Sequence, residues 1–149
     1  MSHSTARNLI HLVFSTKHRE PLIHDAFQPE MFAYLCGAAN AINCPAIVAG
    51  GVEDHVHILF ALHKTVALSK AVEEIKKQSS KWAKENGGSN EFYWQNGYGA
   101  FSVSPPQVPR VVAYIEDQAR HHADASFQDE FRSLLYRAGE ECEEREVWD

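Results

Sequence analysis

The stretch DHVHILF, residues 54–60, places His55 and His57 inside an apolar run with the composition of a buried β-strand. Side chains along a strand alternate between faces, so both imidazoles share one face while Val56, Ile58, Phe60 and Leu62 occupy the other. With a rise of about 3.3 Å per residue, the two rings lie roughly 6–7 Å apart along the backbone. That spacing lets them share one divalent cation. A second group lies in YIEDQARHH, residues 114–122. At about 100° per residue on a helix, Tyr114, Gln118 and His121 fall within about 60° of one another, with His122 nearby.

Together these residues suit chemistry on a phosphodiester. Two imidazoles and the side-chain oxygen of Gln118 can hold a divalent ion and leave positions open for phosphate oxygens, a donor set suited to Mg²⁺ or Mn²⁺. Imidazole tilts the choice toward Mn²⁺. Such an ion acts as a Lewis acid and stabilises charge developing on the phosphate. The Tyr114 hydroxyl, with a reference pKa of about 10, is a weak nucleophile until a nearby cation favours the phenolate. His121 and His122 are close enough on the helix to replace Gln118 as ligand. Taken singly, each motif also has a plainer reading. The strand histidines can be hydrogen-bonded without a ligand, Tyr114 can be a packing residue, Gln118 can be solvated, and the last two histidines can complement the helix dipole.

The elements that must position these residues follow from periodicity. NLIHLVFST (8–16) is apolar on both faces apart from His11, as expected of a central strand. Phe27, Met31, Tyr34, Leu35, Ala38 and Ile42 recur at helical spacing over 26–43, which Asn43 and Pro45 end. The run 46–62 gives two strands around the turn-prone Gly50, Gly51, Glu53 and Asp54, hence a hairpin. A helix follows, with Leu68, Val72, Ile75 and Trp82 on its inner stripe. FYWQNGYGAFSVS (92–104) reads as one or two aromatic strands. Prolines then open a helix reaching about residue 123, and FQDEFRSLLYRAG suggests one more short helix. The order strand, helix, strand, strand, helix, strand is that of the ferredoxin-like, split βαβ arrangement: an α+β fold with an antiparallel sheet, helices on one face and an added C-terminal helix. The histidines would then lie on the open face of the sheet.

The 149 residues, 44% of them hydrophobic, suit one compact domain over 1–137 followed by an acidic tail over 138–149. The tail holds six acids and one base of a chain whose net charge is −6, so the body before it is nearly neutral. Within that body, residues 64–84 hold six lysines against two glutamates, a local basic stripe. No apolar run reads as an export signal or membrane span, which points to a cytoplasmic protein without a membrane partner. The three cysteines, Cys36, Cys44 and Cys142, have no CxxC spacing and read as small hydrophobes rather than a disulfide framework or zinc site.

HLVFSTKHREP, GGVEDHVHILFAL, IKKQSSKWAK, FYWQNGYGAFSVS and YIEDQARHH, in this order, resemble the single-tyrosine HUH transposases of bacterial and archaeal insertion sequences, including the repeat-associated tyrosine transposases. The resemblance spans nearly the whole chain. It implies cutting and rejoining of single-stranded DNA with hairpin ends, through a 5′-phosphotyrosine link that leaves a free 3′-hydroxyl. By the same resemblance Tyr114 is the nucleophile, His55 and His57 are metal ligands, Gln118 completes the metal site, and the protein is a homodimer in which the tyrosine helix often serves the partner's histidines. Lys76, Lys77, Lys81, Arg110 and Arg120 are candidate phosphate contacts, with ordinary solvated charges as the alternative for each. Trp94 and Tyr98 are candidates for stacking on bases, with a core role as the alternative. Two competing functions stay open: a dimeric hairpin-binding module that does not cut, and a metal-dependent phosphodiesterase that uses water.

Overall fold

The computed structural model describes residues 3–87, 90–122 and 125–140. Its elements are β1 (Asn8–Ser15), α1 (Gln28–Ala41), β2 (Ala46–Gly51), β3 (His55–Leu62), α2 (Leu68–Glu85), β4 (Gly99–Val103), α3 (Val108–Glu116), α4 (Gln118–His121) and α5 (Phe127–Arg137). The sheet order is β2-β3-β1-β4 with every pair antiparallel, the ferredoxin-like arrangement expected from the sequence. The two central strands are β3 and β1, and β1 is the one that reads as apolar on both faces apart from His11.

Register explains why. Val13 is opposite His57, Ser15 is opposite His55, and His11 is opposite Leu59, so these residues share one face of the sheet. Leu12, Phe14, Val56, Ile58 and Phe60 take the other face and form the main core with Met31 and Leu35 of α1 and Val72 and Ile75 of α2. The histidine face has its own smaller core, Val13 against Phe127 and Phe131, with Phe101, Leu134 and Leu135 packed around it.

The histidine face is therefore not open. α3, α4 and α5 of the same chain cover it, and His55 and His57 are fully buried. Close approach is possible because the sheet presents glycine there. A Cβ on Gly50 would lie 2.5 Å from the Ile115 carbonyl oxygen of α3, and one on Gly99 would lie 2.6 Å from the Phe131 ring of α5.

Two expected elements differ in detail. The helix expected to run to about residue 123 breaks at Asp117 (φ −102°, ψ 22°), and the short α4 begins there. The aromatic segment before β4 contributes one isolated bridge, Trp94 to Thr16, rather than a further strand. Gln95 then ties that segment to the end of β1. Its amide donates to the Ser15 carbonyl at 2.9 Å, and its side-chain oxygen accepts from the Ser15 amide at 2.8 Å. Trp94 packs in the main core and donates to Ser79 Oγ at 2.9 Å. Cys36 and Cys44 are free thiols, whereas Cys142 and residues 141–149 of the acidic tail lie outside the described residues. Among the described residues no helix is long and apolar enough to cross a membrane.

Substitution separates the packing role of glycine from its helix cost. Gly50→Ala forces α3 off β2 and should cost about 1–3 kcal/mol in urea unfolding. Gly37→Ala, exposed in α1 with open space around its Cβ, should stabilise by up to about 1 kcal/mol.

Candidate metal and nucleophile site

The site forms where three elements converge over the histidine face: β3, the α3–α4 break and α5. At its centre is a residue that the sequence reading did not single out, Glu130. Ser126 caps α5 by accepting from the Asp129 amide at 3.2 Å, and Asp129 and Glu130 occupy the first turn, where carboxylates complement the helix dipole. Glu130 lies on the same stripe as Phe127, Phe131 and Leu134 and is carried into the interior with them, only 8% exposed.

Its two oxygens face different partners. Oε1 lies 3.0 Å from His55 Nε2, 2.9 Å from His57 Nε2 and 3.1 Å from His122 Nε2. Oε2 accepts the Tyr114 hydroxyl and, at 3.1 Å, Gln118 Nε2. Gln118 is buried by the break at Asp117 and also turns its Oε1 toward His55 Nε2 at 3.2 Å. Behind these, Asp54 Oδ1 contacts His55 Nδ1 at 2.7 Å, and His11 Nε2 lies 2.8 Å from His57 Nδ1.

The contacts order the protons. Burial holds His11 well below its ordinary value, at about 3, and His57 is lowered too, chiefly by burial. Both rings are neutral, and the tautomers that satisfy every contact have His11 donating to His57 Nδ1 and His57 donating to Glu130. At His55, burial also lowers, but Asp54 and Glu130 on its two nitrogens outweigh it and raise the pKa to about 9. Burial would favour a neutral Glu130, yet the close imidazoles of His122, His55 and His57 keep it ionised far below the usual carboxylate range. Burial and the bond to Glu130 raise the Tyr114 hydroxyl above its ordinary value of 10.0, so the tyrosine is held protonated.

Of the expected site residues, His55, His57, Tyr114 and Gln118 come together here. His122 joins them. Its Nε2 is buried with no aligned hydrogen-bond donor or acceptor, although Glu130 Oε1 is close. His121 is instead exposed and lies over Tyr114, ring centroids 4.8 Å apart. Ligand atoms of His55, His122 and Glu130 all fall within 4.8 Å of one another, a group able to hold a metal ion. A cavity of about 340 Å³ opens beside it, bordered by Tyr114, His121, His122, Glu130, Ser133 and Arg137.

The candidate phosphate contacts do not converge on this centre. Lys76 is half-buried, and its Nζ donates to the carbonyls of Gln95 and Gly97, each at 2.7 Å, and of Asn96 at 3.3 Å. Burial lowers its pKa to about 8. Lys77 and Lys81 are exposed on α2, and Lys77 borders a second cavity of about 390 Å³ with Trp94 and Tyr98. Arg110 is exposed on α3, and Arg120 pairs with Asp117 at 3.3 Å.

Paired histidines on a central strand and a helix-borne tyrosine meet on one face of a ferredoxin-like sheet. Residues 4–118 match the family described as "Transposase IS200 like". The chain belongs to that family, the IS200-like transposases, whose single-tyrosine HUH members its motifs resemble. Among proteins of curated function none matches the chain. Among solved structures, a protein of Deinococcus radiodurans assigned as a transposase is similar, with TM-score 0.60 and 19% identity over 79% of this chain and 95% of that one. A REP-associated tyrosine transposase bound to a REP hairpin is similar with TM-score 0.57 and 16% identity, over 82% of this chain and 74% of that one. Both likenesses are of fold.

His55 gives the metal-free protein a signature in pH. Its folded value of about 9 lies above the ordinary 6.5, so its contribution to stability is complete below about 6.5 and is lost as pH rises toward 9. Unfolding free energy measured in EDTA should fall between about pH 7 and 8, above the range in which the lowered His11 and His57 add stability with rising pH and despite the opposing proton release of Lys76, and Asp54→Asn should flatten that fall.

Proposed function

We propose that this transposase cuts and rejoins single-stranded DNA at hairpin ends, with Tyr114 as nucleophile and a 5′-phosphotyrosine intermediate. The observation that carries this reading is the meeting of Tyr114 with the β3 histidines around one buried carboxylate. The donor set fits a divalent ion, Mg²⁺ or Mn²⁺: ligand atoms of His55, His122 and Glu130 lie within 4.8 Å of one another, and the Gln118 oxygen lies 3.2 Å from His55 Nε2. His55, His57 and Gln118 would hold it. When bound, such an ion supplies Lewis-acid polarisation of the phosphodiester.

This chain's own residues do the rest. Tyr114 Oη forms the new bond to phosphorus as the bond from phosphorus to the 3′ oxygen breaks, and the departing oxygen takes up a proton to become a free 3′-hydroxyl. Glu130 Oε2 accepts the Tyr114 hydrogen bond and orients the hydroxyl, while the proton given up on attack passes to solvent, which also supplies the one taken up by the departing 3′ oxygen. Phosphotyrosine keeps the bond energy, so the reverse attack by a 3′-hydroxyl reseals a strand without a nucleotide cofactor. His121 and Arg137 border the cavity beside the nucleophile, where cationic or hydrogen-bonding groups favour a phosphate. Lys77 and Lys81 on α2 and Arg110 and Arg120 on α3 and α4 are proposed to follow the DNA backbone, with the resemblance supporting a homodimer acting on paired hairpin ends. Lys76 also belongs to this proposed surface, through the loop that it fixes.

The test is a denaturing gel of protein incubated with labelled single-stranded hairpin DNA from the gene's flanks and Mn²⁺. A covalent adduct should form with the wild-type chain and vanish in Tyr114→Phe and in EDTA. Cleavage that survives in Tyr114→Phe would mean a water-using phosphodiesterase, and tight binding without cleavage would mean a hairpin-binding module.

A further inference from the structure

The matched family segment ends at Gln118, yet the centre of the site is filled from beyond it. α5 is fixed to the sheet by Phe127 and Phe131 against Val13, and this anchoring drives a carboxylate into the interior. Burying an ionised carboxylate is costly unless its oxygens are fully engaged, and every partner of Glu130 Oε1 is an imidazole nitrogen.

Distances decide what that arrangement suits. Around an octahedral ion with bonds of about 2.1 Å, neighbouring ligand atoms lie about 3.0 Å apart. Glu130 Oε1 lies 3.0, 2.9 and 3.1 Å from the Nε2 atoms of His55, His57 and His122. Such spacings suit atoms that share one cation, and the ligand atoms of His55, His122 and Glu130 all lie within 4.8 Å of one another. Charge points the same way. Imidazoles and the Gln118 amide bring no negative charge, whereas Mg²⁺ and Mn²⁺ prefer hard oxygen donors and carboxylates above all. Asp54 bonds to the far nitrogen of His55 and orients the ring, leaving Glu130 as the buried carboxylate directed at the ligand atoms.

We propose that Glu130, delivered by α5, is a ligand of the catalytic metal, contributed from outside the part of the chain that carries the histidine pair and the tyrosine. The proposal rests on the metal-and-tyrosine reading given above. α5 is then a working part of the site rather than an appended helix. Its Oε1 serves the ion, while Oε2 remains turned to Tyr114 and Gln118 and links the metal to the nucleophile.

The test is calorimetric titration of Mn²⁺ into the full, EDTA-stripped chain, comparing wild type with Glu130→Gln, Glu130→Ala and His57→Ala. Glu130→Gln keeps the volume and one oxygen, and it should weaken binding by about tenfold or more. Unchanged or tighter binding in Glu130→Gln would overturn the proposal and make Glu130 a counter-charge that the metal displaces. His57→Ala separates the two levels. If it weakens binding while Glu130→Gln does not, only the role of Glu130 fails; if neither weakens binding, the metal reading fails with it. Should the Glu130 variants not fold by circular dichroism, infrared spectra of wild-type chain carrying ¹³C-carboxylate glutamate answer the question directly. Mg²⁺ should shift a carboxylate stretch in wild type but not in His57→Ala, and the absence of any shift would overturn the proposal.

Discussion

The structure turns on a buried anion. Glu130 carries its charge into the apolar layer between sheet and helices, and the site around it consists of groups that make this tolerable: three imidazole nitrogens, a phenol and an amide. Removing a charge from water costs several kcal/mol unless it is compensated, so the carboxylate and its partners stand or fall together. This dependence ties α5 to β3 and to the α3–α4 break more specifically than the small apolar contact of Phe127, Phe131 and Val13 does alone.

From that constraint the uses of the other elements follow. Strand alternation sends His11, His55 and His57 to one face and the bulky aliphatic residues to the other, so the core against α1 and α2 is complete without the site. Glycines at positions 50 and 99 let α3 and α5 approach the sheet backbone closely enough to seal the histidines from water. The break at Asp117 then carries Gln118 inward while leaving Tyr114 at the border of a cavity. Buried histidines and a carboxylate with a tyrosine at their edge match the proposed phosphoryl transfer, since charge changes there occur away from bulk water.

Much of this was legible in the residues. The two-residue spacing of His55 and His57 set their common face, helical spacing brought Tyr114 and Gln118 to one edge, and the order of apolar runs led to the ferredoxin-like sheet. The closure of the histidine face was not legible, because a short amphipathic helix does not announce which surface it will cover. Glu130 did leave a signal: it sits at the third position after Phe127 and directly before Phe131, a charge within an apolar stripe, where burial demands partners. The break at Asp117 left no such mark. Lys76 illustrates the limit of reading charge as surface, since three backbone carbonyls of the 95–97 segment hold its ammonium.

The central claim is that the β3 histidines hold the metal on which the tyrosine chemistry depends. Electron spin-echo envelope modulation of Mn²⁺ bound to the protein, prepared with ¹⁴N and then ¹⁵N histidine, tests it most directly. The account requires nitrogen modulations from directly bound imidazoles that change with the isotope. An ion showing water protons alone, with no histidine nitrogen in either preparation, would contradict it.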